Sequence, residues 1–520
     1  MFQIILLIFI FSGQLFSDPL LVYLRERPNN PNEQFVLGWK NSEWMDLNGD
    51  LLFRNLISDH MRLTSGMAEF MYLLQPISNI QKLEDRRKII LEIDSQFEPL
   101  DAAVADLVDD EDGLIKILEK SAQKPEKPIS KLLINGAIIS AASVYGTKMT
   151  VSRMRHDFSV RNWPYLLMTL LSLPLSLYHA TQEVLDVVTQ AKSGMEKCSR
   201  DVYKLSLAIK KLKNIKKIVE QSSILSVVFS PIIGFEDLAL IDPQFEKLLT
   251  DIDSGSYWPS GNESIFERAL NYKEVFQTVL SSLGRLDAYL TVIRIYRDRL
   301  RKGLPVTWAT FDQKAKKPTF KFKNLGNPLL PDSVPNDFAL SGHAIFNGPS
   351  TCGKSAAMKS IAWAHILGQS ILLVPAEEAH FAIVEQFRTY FNIGDNIASG
   401  KSSFKAQNLA MKKLESGLSQ KTLLLVDEPY KGVPGKIGEN LVVDFIERVI
   451  KNENSSLLLS THYERPCYLG SEFQYFQPEL IEDNGFFKRT YRMLPGVAAW
   501  WFENQNRKSD AFIQQIFQEN

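Results

Sequence analysis

The feature that most constrains this chain is the run GPSTCGKS at positions 348–355, a loop that begins with glycine. The apolar residues 344–346 precede this run and the helix-forming residues 356–359 follow it, so strand, loop and helix are predicted in that order. A loop of this kind surrounds a phosphate chain with backbone N–H groups, and Gly348 and Gly353 remove side chains at the closest points. The sequence therefore predicts a phosphate-binding loop in an α/β domain.

The residues of this loop supply different groups to a nucleotide. Lys354 is placed to reach the β- and γ-phosphates, and Ser355 offers a hydroxyl to Mg²⁺ at the start of the helix. We therefore expect ATP and Mg²⁺ as ligands. The predicted nucleotide-binding residues of the loop are Gly348, Pro349, Ser350, Thr351, Cys352, Gly353, Lys354 and Ser355.

Two further apolar runs end in polar residues of catalytic type. Residues 423–426 read as a buried strand that ends at Asp427 and Glu428. Asp427 is placed to hold Mg²⁺, while Glu428 can orient and deprotonate an attacking water. Residues 457–460 form a third predicted strand, followed by His462 as a candidate γ-phosphate contact. Because parallel strands end at one edge of a sheet, we expect all three loops to form one site.

These motifs resemble the ATPase domain of the MutS family of DNA mismatch-repair proteins. The resemblance continues along the chain in the family's order, which is more specific than any single motif. The matching segments are 327–330 and 334–337 before the loop, and 374–376, 394–404 and 461–463 after it. By this resemblance, Ser402 is the signature hydroxyl offered to the nucleotide of a partner subunit, so a homodimer is expected.

The resemblance also extends upstream and implies the fold class. Residues 59–90 are similar to the start of the family's helical lever, and 283–295 to its last helix. We expect a multidomain α and α/β chain, in which an all-helical lever region precedes an ABC-type P-loop NTPase α/β domain. The expected parts are an apolar segment with linker at 1–44, a helical lever and clamp at 45–310 with an apolar insertion at about 131–180, the ATPase domain at 311–500 and a tail at 501–520.

Several positions depart from the family pattern. The family's Gly-Arg-Gly-Thr-Ser run after the acidic pair is replaced here by residues 429–435, which include Lys431. Ser333 stands where many members place an aromatic residue that stacks on adenine. About forty residues precede the lever, and none of them contains the Phe-x-Glu motif that reads mismatches. DNA is the partner that the resemblance implies, and we expect its binding to be indifferent to mismatches.

Composition restricts how DNA would be bound. The net charge is −1, so attraction to nucleic acid depends on local basic patches. Lysines recur between apolar residues over 204–217, which predicts a helix with one basic side, and a second lysine cluster occupies 314–323. Either cluster is read as a DNA contact or as a solvated face. The three cysteines Cys198, Cys352 and Cys467 have no metal-ligand spacing and favour a reducing, cytoplasmic location.

Apolar runs leave a membrane alternative open. Residues 2–16 are almost wholly apolar and read as a signal-like segment or as an N-terminal anchor. The runs 132–145 and 163–178 are short for a bilayer span and read equally as membrane hairpin or helical core. The alternatives to a DNA-clamping ATPase are therefore a membrane-associated ABC-type ATPase and a non-hydrolysing structural clamp.

Overall fold

The computed structural model describes residues 46–122, 200–254, 265–330, 332–391, 403–418, 420–431, 433, 435–483 and 486–506. These residues form two compact units. The first unit takes its residues from 1–105, 217–230 and 281–520, and the second takes them from 106–216 and 231–280.

Helices occupy the described chain up to residue 301. Short helical turns at Gly49–Leu52, Phe53–Ile57 and Ser58–His60 come first. The longer helices are α1 Thr64–Leu73, α2 Ile80–Ser95, α3 Phe97–Leu107, α4 Glu111–Ala122, α5 at 200–219, α6 Ser223–Val228, α7 Ser230–Ile241, α8 Pro243–Asp253, α9 Ile265–Leu270 and α10 Lys273–Arg301.

Helices α1 and α10 cross closely in the first unit. A Cβ on Gly66 would lie 2.3 Å from Asp287 Oδ2, and a Cβ on Gly284 would lie 2.5 Å from the Ser65 carbonyl oxygen. Asp287 is fully buried and accepts hydrogen bonds from the backbone N–H groups of Arg62 (3.1 Å) and Leu63 (2.8 Å). Glycine at both positions therefore allows the two upstream segments that resemble the family's lever to contact each other.

Helix α5 has the apolar and basic sides that its sequence predicts. Leu205, Leu212 and Ile215 are buried, but the lysines contact acidic side chains of the second unit. The lysine charge is therefore balanced inside the unit, and this side of α5 is not a free basic surface. The ion pairs are Lys210 with Asp253 (2.7 Å), Lys211 with Asp110 (2.7 Å), Lys213 with Glu236 (3.2 Å) and Lys216 with Glu236 (3.1 Å).

The rest of the first unit is an α/β domain. Its strands are β1 Thr307–Trp308, β2 Thr310–Asp312, β3 Phe320–Leu325, β4 Asn336–Leu340, β5 His343–Asn347, β6 Leu373–Val374, β7 Glu378–Ala382, β8 Gln386–Tyr390, β9 Thr422–Val426, β10 Ser455–Thr461, β11 Phe473–Asp483 and β12 Phe486–Pro495. Its helices are α11 Lys354–Ser370, α12 Ser403–Glu415, α13 Gly435–Ile450 and α14 Ala499–Asn506.

A six-stranded sheet positions the predicted site. Its order is β12-β11-β5-β10-β9-β8, and every neighbouring pair is parallel except β11 with β12. The register pairs Asn347 with Thr461, Leu459 with Val426, and Val426 with Tyr390. The loops that follow β5, β9 and β10 consequently leave the sheet at one edge, as the sequence predicted.

In the described part of the chain, no helix is both long enough and apolar enough to cross a membrane. The apolar runs at 2–16, 132–145 and 163–178 lie outside that part, as do Cys198 and Ser402.

Candidate functional site

The loop after β5 has the backbone geometry that its glycines predict. Gly348 has φ of 111°, and a Cβ there would lie 2.9 Å from Pro478 Cδ. Gly353, the last residue before α11, has φ of 93°. Both values fall in the left-handed region that favours glycine. The chain therefore turns sharply between the end of a buried strand and the start of a helix, where backbone N–H groups are free to face an anion.

Lys354 begins α11 and turns its ammonium back into the loop. Its Nζ donates hydrogen bonds to the carbonyl oxygens of Gly348 (3.0 Å) and Pro349 (2.6 Å), and the residue is 4% exposed. Burial lowers the pKa of Lys354, while Glu428 and Asp427 act in the opposite direction. A buried ammonium is costly unless anionic groups compensate it, so this position suits a phosphate ligand.

Ser355, at the start of α11, contacts Asp427, which follows β9. The Ser355 hydroxyl lies 2.9 Å from Asp427 Oδ1 and 2.8 Å from Oδ2. Ser460, on β10, donates its hydroxyl to Asp427 Oδ1 at 2.5 Å. A hydroxyl and a carboxylate are the oxygen ligands that Mg²⁺ takes in nucleotide sites, where phosphates and waters complete its shell. The donor set therefore fits Mg²⁺.

No group of three or more His, Cys, Asp or Glu residues suited to a metal was found where the structure describes the chain. A magnesium site built on Ser355 and Asp427 does not require such a group, because it is completed by phosphate oxygens.

Glu428 is held between two basic side chains. Its Oε1 contacts His462 Nε2, and its Oε2 lies 2.7 Å from Lys431 Nζ. Burial acts to raise the pKa of Glu428, but the hydrogen bonds and charges of His462, Lys431 and Lys354 outweigh it and lower the pKa to about 2. Glu428 is therefore an ionised carboxylate at neutral pH.

His462 connects Glu428 to the phosphate loop. Its Nδ1 donates to the Gly348 carbonyl oxygen at 3.1 Å, and its Nε2 lies 3.3 Å from Ser350 Oγ. The imidazole thus contacts both the phosphate loop and the Glu428 carboxylate.

Some of the predicted site residues lie together in the structure, and others do not. Lys354, Ser355, Asp427, Glu428 and His462 form one network, connected through the Gly348 carbonyl oxygen and the Ser460 hydroxyl. The Thr351 hydroxyl donates to the Ser350 carbonyl oxygen, and Thr351 is exposed, so its side chain faces away from the network. Cys352 is buried, and burial raises the pKa of its thiol.

Three residues at the site were not predicted from the sequence. Ser460 lies in a predicted strand, and Lys431 lies three residues after Glu428. No local sequence pattern indicated that either side chain would contact the site. Tyr491 is 50% exposed, has φ of 60°, and its Cδ1 lies 3.4 Å from the position of a Cβ on Gly353. It comes from β12, so only the antiparallel pairing of the sheet edge brings it to the loop.

The fold and the site define a class of protein. A mostly parallel sheet, a glycine-bounded loop before a helix, and carboxylates after a strand two positions away in the sheet form an α/β domain of the P-loop type. Residues 344–497 match the family model described as MutS domain V. This part of the chain is therefore similar to domain V of the MutS family.

Curated MutS proteins are similar to parts of this chain. The DNA mismatch repair protein MutS of Syntrophomonas wolfei is 29% identical over 176 residues, which are 32% of this chain and 20% of the relative. That of Carboxydothermus hydrogenoformans is 28% identical over 242 residues, or 44% and 28% of the two chains. That of Halalkalibacterium halodurans is 30% identical over 157 residues, or 30% and 18%. The chain therefore spans less than a third of the length of each of these relatives.

Proposed function

We propose that this chain binds Mg-ATP at the loop 348–355 and hydrolyses it. The observation that carries the proposal is the hydrogen-bonded network that joins Lys354, Ser355, Asp427, Glu428 and His462 at one edge of the parallel sheet. Phosphoryl transfer needs little more from a protein than positioning and neutralised charge, and this network offers both.

Each residue has a role in this proposal. Lys354 and the loop N–H groups bind the β- and γ-phosphates. The phosphates replace the carbonyl oxygens of Gly348 and Pro349 as the partners of the Lys354 ammonium. Ser355 and Asp427 hold Mg²⁺, which neutralises phosphate charge when bound. Glu428 orients the attacking water and accepts its proton, and His462 contacts the γ-phosphate. Glu428 is ionised at neutral pH and therefore offers a charged acceptor that aligns the water.

Tyr491 is the proposed contact for the nucleobase. Its ring is half exposed next to Gly353, and the Asn336 side chain fixes the surrounding backbone through bonds to the Tyr491 carbonyl (3.2 Å) and the Met493 N–H (2.6 Å). An aromatic ring held rigidly beside a phosphate loop offers a stacking surface. Tyr491 would therefore supply the aromatic contact that Ser333 does not.

Similarity to MutS proteins supports a wider role. The relatives are named as DNA mismatch repair proteins, and we propose that this chain works as a homodimer on DNA, with Ser402 contacting the partner's nucleotide. The ion pairs of α5 do not favour that helix as the DNA contact. No observation in the described residues favours the membrane alternative.

Hydrolysis by purified single-residue variants tests the enzymatic part. Glu428→Gln should lower turnover by at least about a hundredfold, the usual contribution of a general base, while a fluorescent ATP analogue still binds. Lys354→Ala should weaken binding of the analogue itself. Glu447→Gln, at an exposed position of α13, is the matched control and should behave as wild type. Equal turnover by wild type and Glu428→Gln would contradict the proposal.

A binding titration with homoduplex and with G·T-mismatched DNA, each at two salt concentrations, tests the DNA part. We expect both duplexes to bind alike and to bind more weakly at high salt. A tenfold preference for the mismatch would show that the chain reads bases.

A further inference from the structure

Lys431 contacts Glu428 at the one carboxylate oxygen that His462 does not hold. Its Nζ lies 2.7 Å from Oε2, while His462 Nε2 occupies Oε1. Glu428 is 11% exposed, whereas Lys431 is 51% exposed and lies on the turn that follows β9. His462 therefore holds the carboxylate from the interior, and Lys431 holds it from the surface.

The backbone around this pair is also fixed. The Glu428 N–H donates to Ser460 Oγ at 2.9 Å, and φ of Glu428 is 46°, in the left-handed region. The Tyr463 hydroxyl donates to the carbonyl oxygens of Tyr430 (2.9 Å) and Val433 (3.0 Å). A non-glycine residue keeps such a conformation only where its surroundings impose it. The remaining freedom of Glu428 is rotation of its side chain, which Lys431 and His462 restrict.

We propose that Lys431 is a positioning residue for Glu428, and this inference rests on the function proposed above. With one oxygen held by His462 at the loop and the other by Lys431, the plane of the carboxylate is set relative to the phosphate loop. His462 alone would allow the carboxylate to rotate about their shared hydrogen bond. Lys431 thus acts on the water through Glu428 and touches neither water nor nucleotide.

Loss of this contact should affect turnover more than stability. Half-exposed ion pairs contribute little to folding, so removal of the lysine should leave the fold intact. Misplacement of a base by a fraction of an ångström is costly for the reaction, because rate depends steeply on geometry. Lys431→Met should therefore lower kcat about five- to tenfold and leave KM for ATP within about twofold.

The experiment compares Lys431→Met, Lys431→Arg and the control Lys436→Met on the exposed start of α13. Lys431→Arg should recover most of the lost kcat, Lys436→Met should match wild type, and all three should bind the fluorescent ATP analogue like wild type. A double variant provides the second readout: in the Glu428→Gln background, Lys431→Met should have no further effect, because its action passes through the carboxylate.

The outcomes separate this inference from the proposed function. If Glu428→Gln hydrolyses ATP as fast as wild type, the proposed function fails. If Glu428→Gln is inactive but Lys431→Met keeps wild-type kcat, the function stands and the role of Lys431 is wrong. A raised KM with unchanged kcat would make Lys431 a nucleotide-binding residue and would equally overturn the inference.

Discussion

At the scale of single residues, Lys431 contacts Glu428 across a turn with unusual φ values, and Tyr491 reaches Gly353 from a strand more than one hundred residues further along. No local sequence pattern indicates either contact. Lys354, Ser355, Asp427 and Glu428 were predictable, because each directly follows a strand or a loop that is apparent in the local pattern.

Tyr491→Ala should weaken ATP binding about fivefold. Stacking of one base on an aromatic residue is worth about 1–3 kcal/mol, and the exposed side of this ring favours the lower value. Titration with a fluorescent ATP analogue measures the change. Tyr491→Phe should retain wild-type affinity, because stacking needs the ring and not the hydroxyl. Tyr468→Ala removes a similarly exposed tyrosine on a different loop and serves as the control. Unchanged affinity in Tyr491→Ala would exclude the contact.

At the scale of elements, the sequence predicted the buried strands, because continuous apolar runs form them. Residues 344–346, 423–426 and 457–460 are continuous apolar or nearly apolar runs, and all three lie in buried parallel strands. Strands β11 and β12 mix polar and apolar residues, so no local pattern indicated the sheet edge that they form. The acidic partners of α5 were equally unpredictable, because Asp110, Glu236 and Asp253 lie far from its lysines in sequence.

Helix α11 should make stability depend on pH. His365 is fully buried on this helix, among the rings of Phe320, Phe322 and Phe381, and burial lowers its pKa to about 4. The unfolded chain binds this proton near pH 6.5, whereas the folded chain excludes it until about pH 4. The stabilising contribution is therefore complete above pH 6.5 and decreases as the pH falls towards 4, by about 3 kcal/mol in total.

Urea denaturation at pH 7 and pH 5 measures this effect. His365→Phe should reduce the loss of unfolding free energy between the two values, because phenylalanine cannot be protonated. His380→Gln removes an exposed histidine of β7 and should leave the loss unchanged. The same pH dependence in His365→Phe as in wild type would show that another group is responsible.

At the scale of the whole molecule, the N-terminal described segment belongs to the same unit as the α/β domain. Asp46 accepts a hydrogen bond from Thr389 Oγ1 (2.8 Å), Asn48 contacts Lys359, and the Leu47 carbonyl accepts from Trp363 Nε1 (3.0 Å). Tyr390, the residue after Thr389, accepts a hydrogen bond from the Asp427 N–H at 2.7 Å. The segment is therefore attached both to α11, which begins with Lys354, and to the strand that contacts Asp427.

Nucleotide should also control assembly. If Ser402 of one chain contacts the nucleotide held by Lys354 and Ser355 of another, ATP lies between two chains and its contact energy adds to dimer stability. Light scattering of Glu428→Gln, which retains ATP, should then show dimers with Mg-ATP and monomers without it at micromolar protein. Ser402→Ala in this background should weaken the dimer but leave nucleotide binding by the monomer unchanged, since the loop 348–355 is intact. Glu428→Gln that stays monomeric at saturating ATP would rule out a site shared between two chains.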